Sequence, residues 1–281
     1  MMEPLPPQTR ISEADDPRIE AYRHVRDRDL RGDRSRPGLF IGEAPLIVEA
    51  MLEVPGMTRS VFVSESQADR MAALIRSSAS PDTPLLVAAS EVMNEIAGFD
   101  IHRGVLASGN RPDPETQTLE RIMPSRDRPA CILLCDGINN IDNIGLLFRN
   151  AAAFGVDAVV LSPDCHDPLY RKSLRVSIGH VLRIPHHRSE NWAETLEALR
   201  DRHGVQLIGT SIAAGASDID SLAEPERVGI VVGSEFEGLG DVSIAACDHL
   251  ARIPMKEGID SLNVGVAAAV CLHKFSRADR V

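Results

Sequence analysis

Residues 253–275 read IPMKEGIDSLNVGVAAAVCLHKF, and the rest of the chain is organised around them. The end of an apolar strand (residues 250–253) meets a turn at Pro254, then a loop over 256–258, then a helix. Ser261 is placed to be the N-cap, because its hydroxyl can accept a bond from a free N–H of the first turn. Leu262, Val266, Ala269, Val270 and Leu272 give the helix an apolar face, and the alanines at 267–269 keep it narrow enough for close packing. Strand, loop and helix N-terminus together make a common place to hold a ligand. The same pattern also fits an ordinary last helix, so the decision rests on what lies upstream.

Working back from this stretch, apolar runs alternate with helical patterns. Strands are expected over 131–135, 158–161, 181–184, 205–208, 228–232 and 249–253. Helices are expected over 144–154, 168–178 and 189–202, the last capped by Ser189. Runs such as ILL and GIVV, apolar without alternation, suit parallel strands covered on both faces, so the expected fold is α/β with a doubly wound parallel sheet. Residues 109–128 are rich in proline and charge and make the best boundary in the chain. Before it, strands over 38–42, 58–63, 85–88 and 104–107 alternate with helices over 44–52, 66–75 and 91–97, the last capped by Ser90. That alternation implies a small α/β domain. The organisation expected is an N-terminal arm and domain (1–112), a linker (113–128) and a second domain (129–281). Residues 1–12 read as a disordered leader, and the arginines of 18–36, interleaved with acids, as a solvated helix face or a phosphate-binding arm.

Composition narrows the function classes. The formal charge is −11 over 281 residues, so any nucleic-acid partner must meet a local basic patch. Aromatics at 4% argue against a surface that stacks many unpaired bases. Five scattered cysteines with no CxxC pair suit reduced thiols in a cytoplasmic protein better than disulfides or zinc. No signal-peptide pattern and no apolar run of membrane-spanning length is present, so no membrane partner is expected. No HExxH or Cys/His ladder offers a metal site, and no GxSxG elbow offers a hydrolase nucleophile.

Three segments share one grammar, an apolar strand followed by a tight polar turn. In DGINNIDNIGLLFR (136–149), Asn143 sits at the helix entrance and Arg149 lies six residues on, nearly two turns later. Both side chains are expected on one side of the helix end; a cap at Asn143 and a solvated Arg149 fit equally well. GSEFEGLG (233–240) follows the strand GIVV, brings backbone amides near a ligand and places Glu235 where the strand ends, without the GxGxxG spacing of a dinucleotide site. The third segment is the opening stretch, with Ser261 and Asn263 at the helix start. A basic helix with Arg171, Lys172 and Arg175 could grip phosphates or simply be solvated.

Taken together, NIGLLFRNAAAFGVDAVVLSP (143–163), GIVVGSEFEGLG (229–240) and IPMKEGIDSLNVGVAAAV (253–270) closely resemble the SpoU (TrmH-like) family of RNA ribose methyltransferases, and DPLYRKSLRVSIGH (167–180) resembles the family's sequence between the first two. The resemblance covers roughly residues 130–275. The first half resembles, less strongly, the ribosomal-protein-like substrate-binding domain that often precedes this catalytic domain. The family implies an S-adenosylmethionine-dependent enzyme with a deep C-terminal trefoil knot, acting on ribosomal or transfer RNA as a homodimer paired through the knotted domain. By matched position, Thr210, Gly233, Ile253 and Leu262 are expected on the cofactor. Arg149 is expected to activate a ribose 2′-OH, Asn143 and Glu235 to hold Arg149 and the RNA backbone, and Ser261 and Asn263 to line the methyl-transfer pocket. Two positions depart from the family's usual pattern: Gly265 stands where serine is common, and Phe236 where motif two commonly has glycine. A non-catalytic RNA-binding protein that keeps the fold is the alternative. A Rossmann oxidoreductase is disfavoured by the missing GxGxxG and ribose-binding acid.

Overall fold

Short apolar runs alternating with amphipathic ones build two sheets, and each sheet belongs to its own unit of the chain. The computed structural model describes residues 8–23, 25, 38–101, 103–213, 215–256, 258–259 and 261–276. In the first unit and the boundary after it the elements are β1 (Gln8–Arg10), β2 (Leu39–Glu43), α1 (Pro45–Leu52), β3 (Thr58–Ser64), α2 (Ala68–Ser77), β4 (Leu85–Ala88), α3 (Ser90–Ala97), β5 (Val105–Asn110) and α4 (Leu119–Ile122). They continue with β6 (Ala130–Cys135), α5 (Ile141–Ala153), β7 (Ala158–Leu161), α6 (Arg171–Val176), β8 (His186–Arg188), α7 (Trp192–Asp201) and β9 (Gln206–Thr210). The last are β10 (Ser217–Asp218), β11 (Arg227–Val232), α8 (Asp241–Ala246), β12 (His249–Arg252) and α9 (Val264–Phe275).

One unit comprises the chain up to Asp113 together with Leu169–Arg183. Its five-stranded sheet has the order β1-β4-β3-β5-β2, with β4 parallel to β1 and β3 and with β5 antiparallel to β2 and β3. Residues 8–11 are not a free leader: β1 pairs with β4 from Gln8↔Leu85 to Arg10↔Val87, and Ile11 is buried. A 3-10 turn over Pro17–Tyr22 buries Ile19 and Tyr22 and leaves Arg18 and Glu20 exposed, so this part of the 18–36 stretch has a solvated charged face over a buried apolar one. The Tyr22 hydroxyl donates to the Ser60 carbonyl at 2.8 Å and accepts the Ser108 N–H at 3.1 Å, which satisfies the polar tip of a buried ring. Most of the remaining arginines of that stretch lie outside the described residues. The expected helix over 168–178 is shorter, and its basic side chains are engaged within this unit. Arg175 pairs with Glu43 at 3.4 Å and Arg171 lies 4.2 Å over the Phe99 ring. Ile178 (φ 54) and Gly179 (φ 80) then turn left-handed, so residues 180–182 form a 3-10 turn where a strand was expected.

The other unit comprises Pro114–Pro168 and the chain from Ile184 onward. Its seven strands run in the order β10-β12-β9-β11-β6-β7-β8, and every pairing is parallel. This is the expected doubly wound sheet, but the strand predicted over 181–184 is absent and β8 follows it at 186–188, with His186 paired to Val159. All six residues of both β6 and β11 are buried, which explains their unbroken apolar runs. Ile132, Leu134, Val160, Leu207 and Val231 pack with Leu119, Leu196, Leu199 and Trp192 on one face. Strand alternation sends Cys131, Leu133 and Cys135 to the other, the side of α5 and α9. Two expected caps move. Asn191, not Ser189, caps α7, while the Ser189 and Thr195 hydroxyls bond each other at 2.8 Å. Ala89 occupies the cap position of α3, so Ser90 is its first residue. Among the described residues no helix is long and apolar enough to cross a membrane.

Candidate active site

The strand order reverses between β6 and β11: from β6 the chain proceeds outward through β7 and β8, then returns to the opposite side. Ligands of open α/β sheets bind in the crevice outside the carboxyl ends of the strands at such a reversal. Asp136 follows β6 and Gly233 follows β11 at this edge. Thr210 ends β9, the next strand, and Ile253 follows β12, the one after. Three of the four positions expected to hold the cofactor therefore sit at the ends of three adjacent strands. Thr210 is half-buried and its hydroxyl donates to the Val231 carbonyl at 3.3 Å; Ile253 and Leu262 are also half-buried.

The turn after β11 is built on glycine. A Cβ on Gly233 would lie 2.1 Å from the Gly238 carbonyl oxygen, so any other residue would break the turn open. Ser234 and Gly238 exchange reciprocal backbone hydrogen bonds of 3.0 Å, and the Ser234 hydroxyl accepts the Glu237 N–H at 3.2 Å. Asp136 ties the far end of the turn to β6: its Oδ2 accepts the Gly240 N–H at 2.9 Å and the Ser243 hydroxyl at 2.7 Å. Ser243 is fully buried and accepts the Trp192 indole N–H at 2.8 Å. The sequence patterns single out none of these three partners. Asp136 next to the strand end is the one signal that could have found them.

Asn263 is the hub of the site. The helix opens at Val264, not at Ser261, and Asn263 is its N-cap: its Oδ1 accepts the N–H groups of Gly265 at 2.9 Å and Val266 at 3.4 Å. With the oxygen committed, the amide nitrogen must face the other way. It donates one hydrogen to Asn143 Oδ1 at 3.0 Å and the other to Glu235 Oε1 at 2.7 Å. One side chain thus caps α9 and joins the loop after β12 to the turn after β11 and the first turn of α5. Asn143 is 5% exposed and does not cap α5; Asn140 does, accepting the Asp142 N–H at 2.8 Å. Both expected caps of the site therefore shift by a few residues, and each frees a functional position for another use.

Arg149 and Ser261 are not drawn into this cluster. Arg149 is exposed on α5, and among the described residues it has no hydrogen-bond or ion-pair partner. Six residues at 3.6 per turn rotate a side chain by about 240°, so Asn143 and Arg149 leave the helix on different sides, contrary to the expectation of a shared side. Ser261 is exposed beside the cap. Behind the hub, α5 and α9 pack closely at Gly265: a Cβ there would lie 2.3 Å from Leu146 Cδ2, and the Gly265 carbonyl accepts the Asn150 amide at 2.6 Å. A serine there, as is usual in the SpoU pattern, would require the Leu146 side chain to move. The cysteines are not nucleophiles of the site. All five are free, and burial pushes the thiols of Cys131, Cys247 and Cys271 up to about 12 and that of Cys135 well above its ordinary value.

Comparison with known proteins identifies the family. Residues 130–273 match the SpoU rRNA Methylase family. The chain is 34% identical over 274 residues to an uncharacterized tRNA/rRNA methyltransferase of Mycobacterium tuberculosis, covering 95% of this chain and 91% of that one. It is 31% identical over 238 residues to the 23S rRNA (guanosine-2′-O-)-methyltransferase RlmB of Salmonella typhimurium, covering 82% of this chain and 95% of that one. In fold it matches an AdoMet-bound rRNA methyltransferase from Sinorhizobium meliloti with a TM-score of 0.76 at 23% identity, over 95% of this chain and 97% of that one. The matched segment holds the whole hydrogen-bonded hub, from Asn143 through Glu235 to Asn263, and the chain belongs to the SpoU rRNA methylase family.

Proposed function

We propose that this protein transfers a methyl group from S-adenosylmethionine to a ribose 2′-OH of ribosomal or transfer RNA. The observation that carries the reading is the Asn263 amide, which binds Asn143 and Glu235 at once and so gathers three segments at the reversal point of a parallel sheet. The activity named for the Salmonella typhimurium relative, guanosine 2′-O-methylation of 23S rRNA, supports the reaction type.

The crevice fits the cofactor. Gly233, Thr210 and Ile253 stand at the carboxyl ends of three adjacent strands, with Thr210, Ile253 and Leu262 half-buried. These four residues would hold the adenosine and methionine parts. When bound, S-adenosylmethionine supplies a methyl group made electrophilic by the adjacent sulfonium. The chain's own task is the nucleophile, because a ribose hydroxyl attacks poorly until its proton is drawn off. Arg149 acts as a donor that orients the hydroxyl and stabilises the negative charge developing on its oxygen, while the hydroxyl proton passes to a phosphate oxygen of the RNA. Glu235, held on one oxygen by Asn263, receives the ribose of the RNA chain, buried Asn143 fixes that geometry through Asn263, and Ser261 lines the pocket. The first half of the chain serves as the RNA substrate-binding domain, and the second carries the deep knot through which two copies pair. An RNA substrate and five free cysteines support a cytoplasmic location.

The test uses the purified full chain, labelled S-adenosylmethionine and total RNA from a strain lacking the gene, followed by nuclease digestion and identification of 2′-O-methyl nucleosides. Calorimetric titration with S-adenosylmethionine separates the enzyme from a binding protein that only keeps the fold, since the latter takes up no cofactor. Arg149→Ala is expected to lower kcat by about a hundredfold or more while cofactor affinity persists. Near-normal turnover of that variant would remove Arg149 from the mechanism.

A further inference from the structure

The turn over residues 233–240 carries a side chain that neither the fold nor the hub uses. Phe236 is 97% exposed, the most exposed large apolar side chain among the described residues, whereas Phe40, Phe62, Phe148 and Phe275 are all buried. Its support is stiff. The reciprocal Ser234–Gly238 bonds, the Ser234–Glu237 bond and the Asp136–Gly240 bond hold the turn at both ends, and Gly233 packs its backbone directly against Gly238. The preceding residue, Glu235, is bonded to Asn263, so the ring stands one residue from the hub.

Charge decides what can meet this ring. Glu235 and Glu237 flank it and Asp241 follows shortly after, so a phosphate chain is repelled at the tip. A base is not: its face is uncharged and stacks on an aromatic ring whatever its sequence. A nucleotide whose ribose is held at Glu235 has its own or its neighbour's base within reach of the next residue. We infer that Phe236 is a specificity-determining residue that stacks on an unpaired RNA base beside the reacting ribose. The inference rests on the methyl-transfer reading above and adds to it the kind of RNA accepted, a loop, bulge or end with at least one base out of its helix. It is also a property of this chain in particular, because the SpoU pattern commonly has glycine at this position.

The experiment measures kcat, KM for total RNA from the deletion strain, and S-adenosylmethionine affinity for wild type, Phe236→Ala, Phe236→Leu and Phe236→Trp. Losing one base stack is expected to raise KM for RNA roughly tenfold or more in Phe236→Ala and Phe236→Leu. Phe236→Trp retains or improves the wild-type value, kcat changes far less than KM, and cofactor affinity stays put. An unchanged KM in Phe236→Ala overturns the inference. So does wild-type behaviour of Phe236→Leu, which would make the residue an apolar plug rather than a stacking surface. A shift in sedimentation of Phe236→Ala overturns it as well, since the ring would then be meeting protein. Absence of methyl transfer by the wild type itself would fail the parent reading, and the inference with it, and is seen before any variant is compared.

Discussion

Asn263 shows how much one side chain can be asked to do. Its oxygen caps α9 and its nitrogen splits two hydrogens between a buried amide and a carboxylate, so every donor and acceptor it owns is spent inside the protein. A group so committed holds other groups in place. Two substitutions separate its jobs. Asn263→Asp keeps an oxygen for the cap but loses both donors and sets a second carboxylate against Glu235. Asn263→Ala loses everything, including a cap worth about 1 kcal/mol. The expected result is an aspartate variant that melts close to wild type yet turns over as poorly as the alanine variant. Equal melting losses in the two, or an active aspartate variant, would show that the hub serves stability alone. The motif positions themselves were legible from their resemblance to SpoU sequences, but their wiring was not. Ser and Asn are nearly equal as N-caps, so sequence alone could not choose between Ser261 and Asn263, nor between Asn143 and Asn140. Leu146 and Gly265 were equally hidden, because a close approach between α5 and α9 leaves no trace in the periodicity of either.

At the scale of elements, the strands were legible because burial on both faces of a parallel sheet demands long apolar runs, and β6 and β11 have them. Elements that owe their existence to a distant partner were not. Gln8–Arg10 carries no apolar run and becomes a strand only beside β4, and Ser217–Asp218 only beside β12. The displaced strand β8 has a further consequence. His186 is 7% exposed there, stands edge-on to the Phe148 ring at 5.3 Å, and its Nδ1 faces the Ile184 carbonyl at 3.1 Å. Burial pushes its pKa below the ordinary 6.5. Above about pH 6.5 the imidazole is neutral in both folded and unfolded chains, and the full stability is present. As the pH falls below that value the unfolded chain takes up a proton that the folded one refuses. Stability is then lost at up to about 1.4 kcal/mol per pH unit until the folded pKa is reached. Urea midpoints at pH 7.5 and 5.5 should therefore differ more for wild type than for His186→Gln. Equal differences in the two proteins would mean that the imidazole charges without cost where it stands.

At the scale of the whole molecule, the charge of −11 has to be reconciled with an RNA substrate. Many of the arginines are already used inside the protein. Arg175 pairs with Glu43, Arg183 with Glu53, Arg200 with Asp248 and Arg202 with Glu120, while Arg227 donates to the backbone carbonyls of His203, Ser125 and Pro124. Such pairs contribute little stability where exposed, yet they lower the basic charge left for phosphates, so RNA must be drawn by few contacts and held by shape. Pairing of two copies, proposed above, would enlarge the surface open to RNA without adding a single arginine to the chain. The surface offered for it is on α9. Val264, Ala268, Cys271, Leu272 and Phe275 are buried, while Val266 at 48% and Val270 at 38% stand exposed four residues apart on the same side of the helix. Two exposed valines on a helix capped by the hub would couple pairing to the site itself. Val266→Asp combined with Val270→Asp is expected to convert a dimer into a monomer by sedimentation and light scattering, and to lower methyl transfer with it. Because both positions face outward, the thermal midpoint of the monomeric variant should fall no further than loss of the partner accounts for, which dilution of the wild type measures independently. A wild type that sediments as a monomer would remove the pairing, a doubly charged variant that still dimerises would move the interface off α9, and either would leave the two valines as ordinary exposed residues.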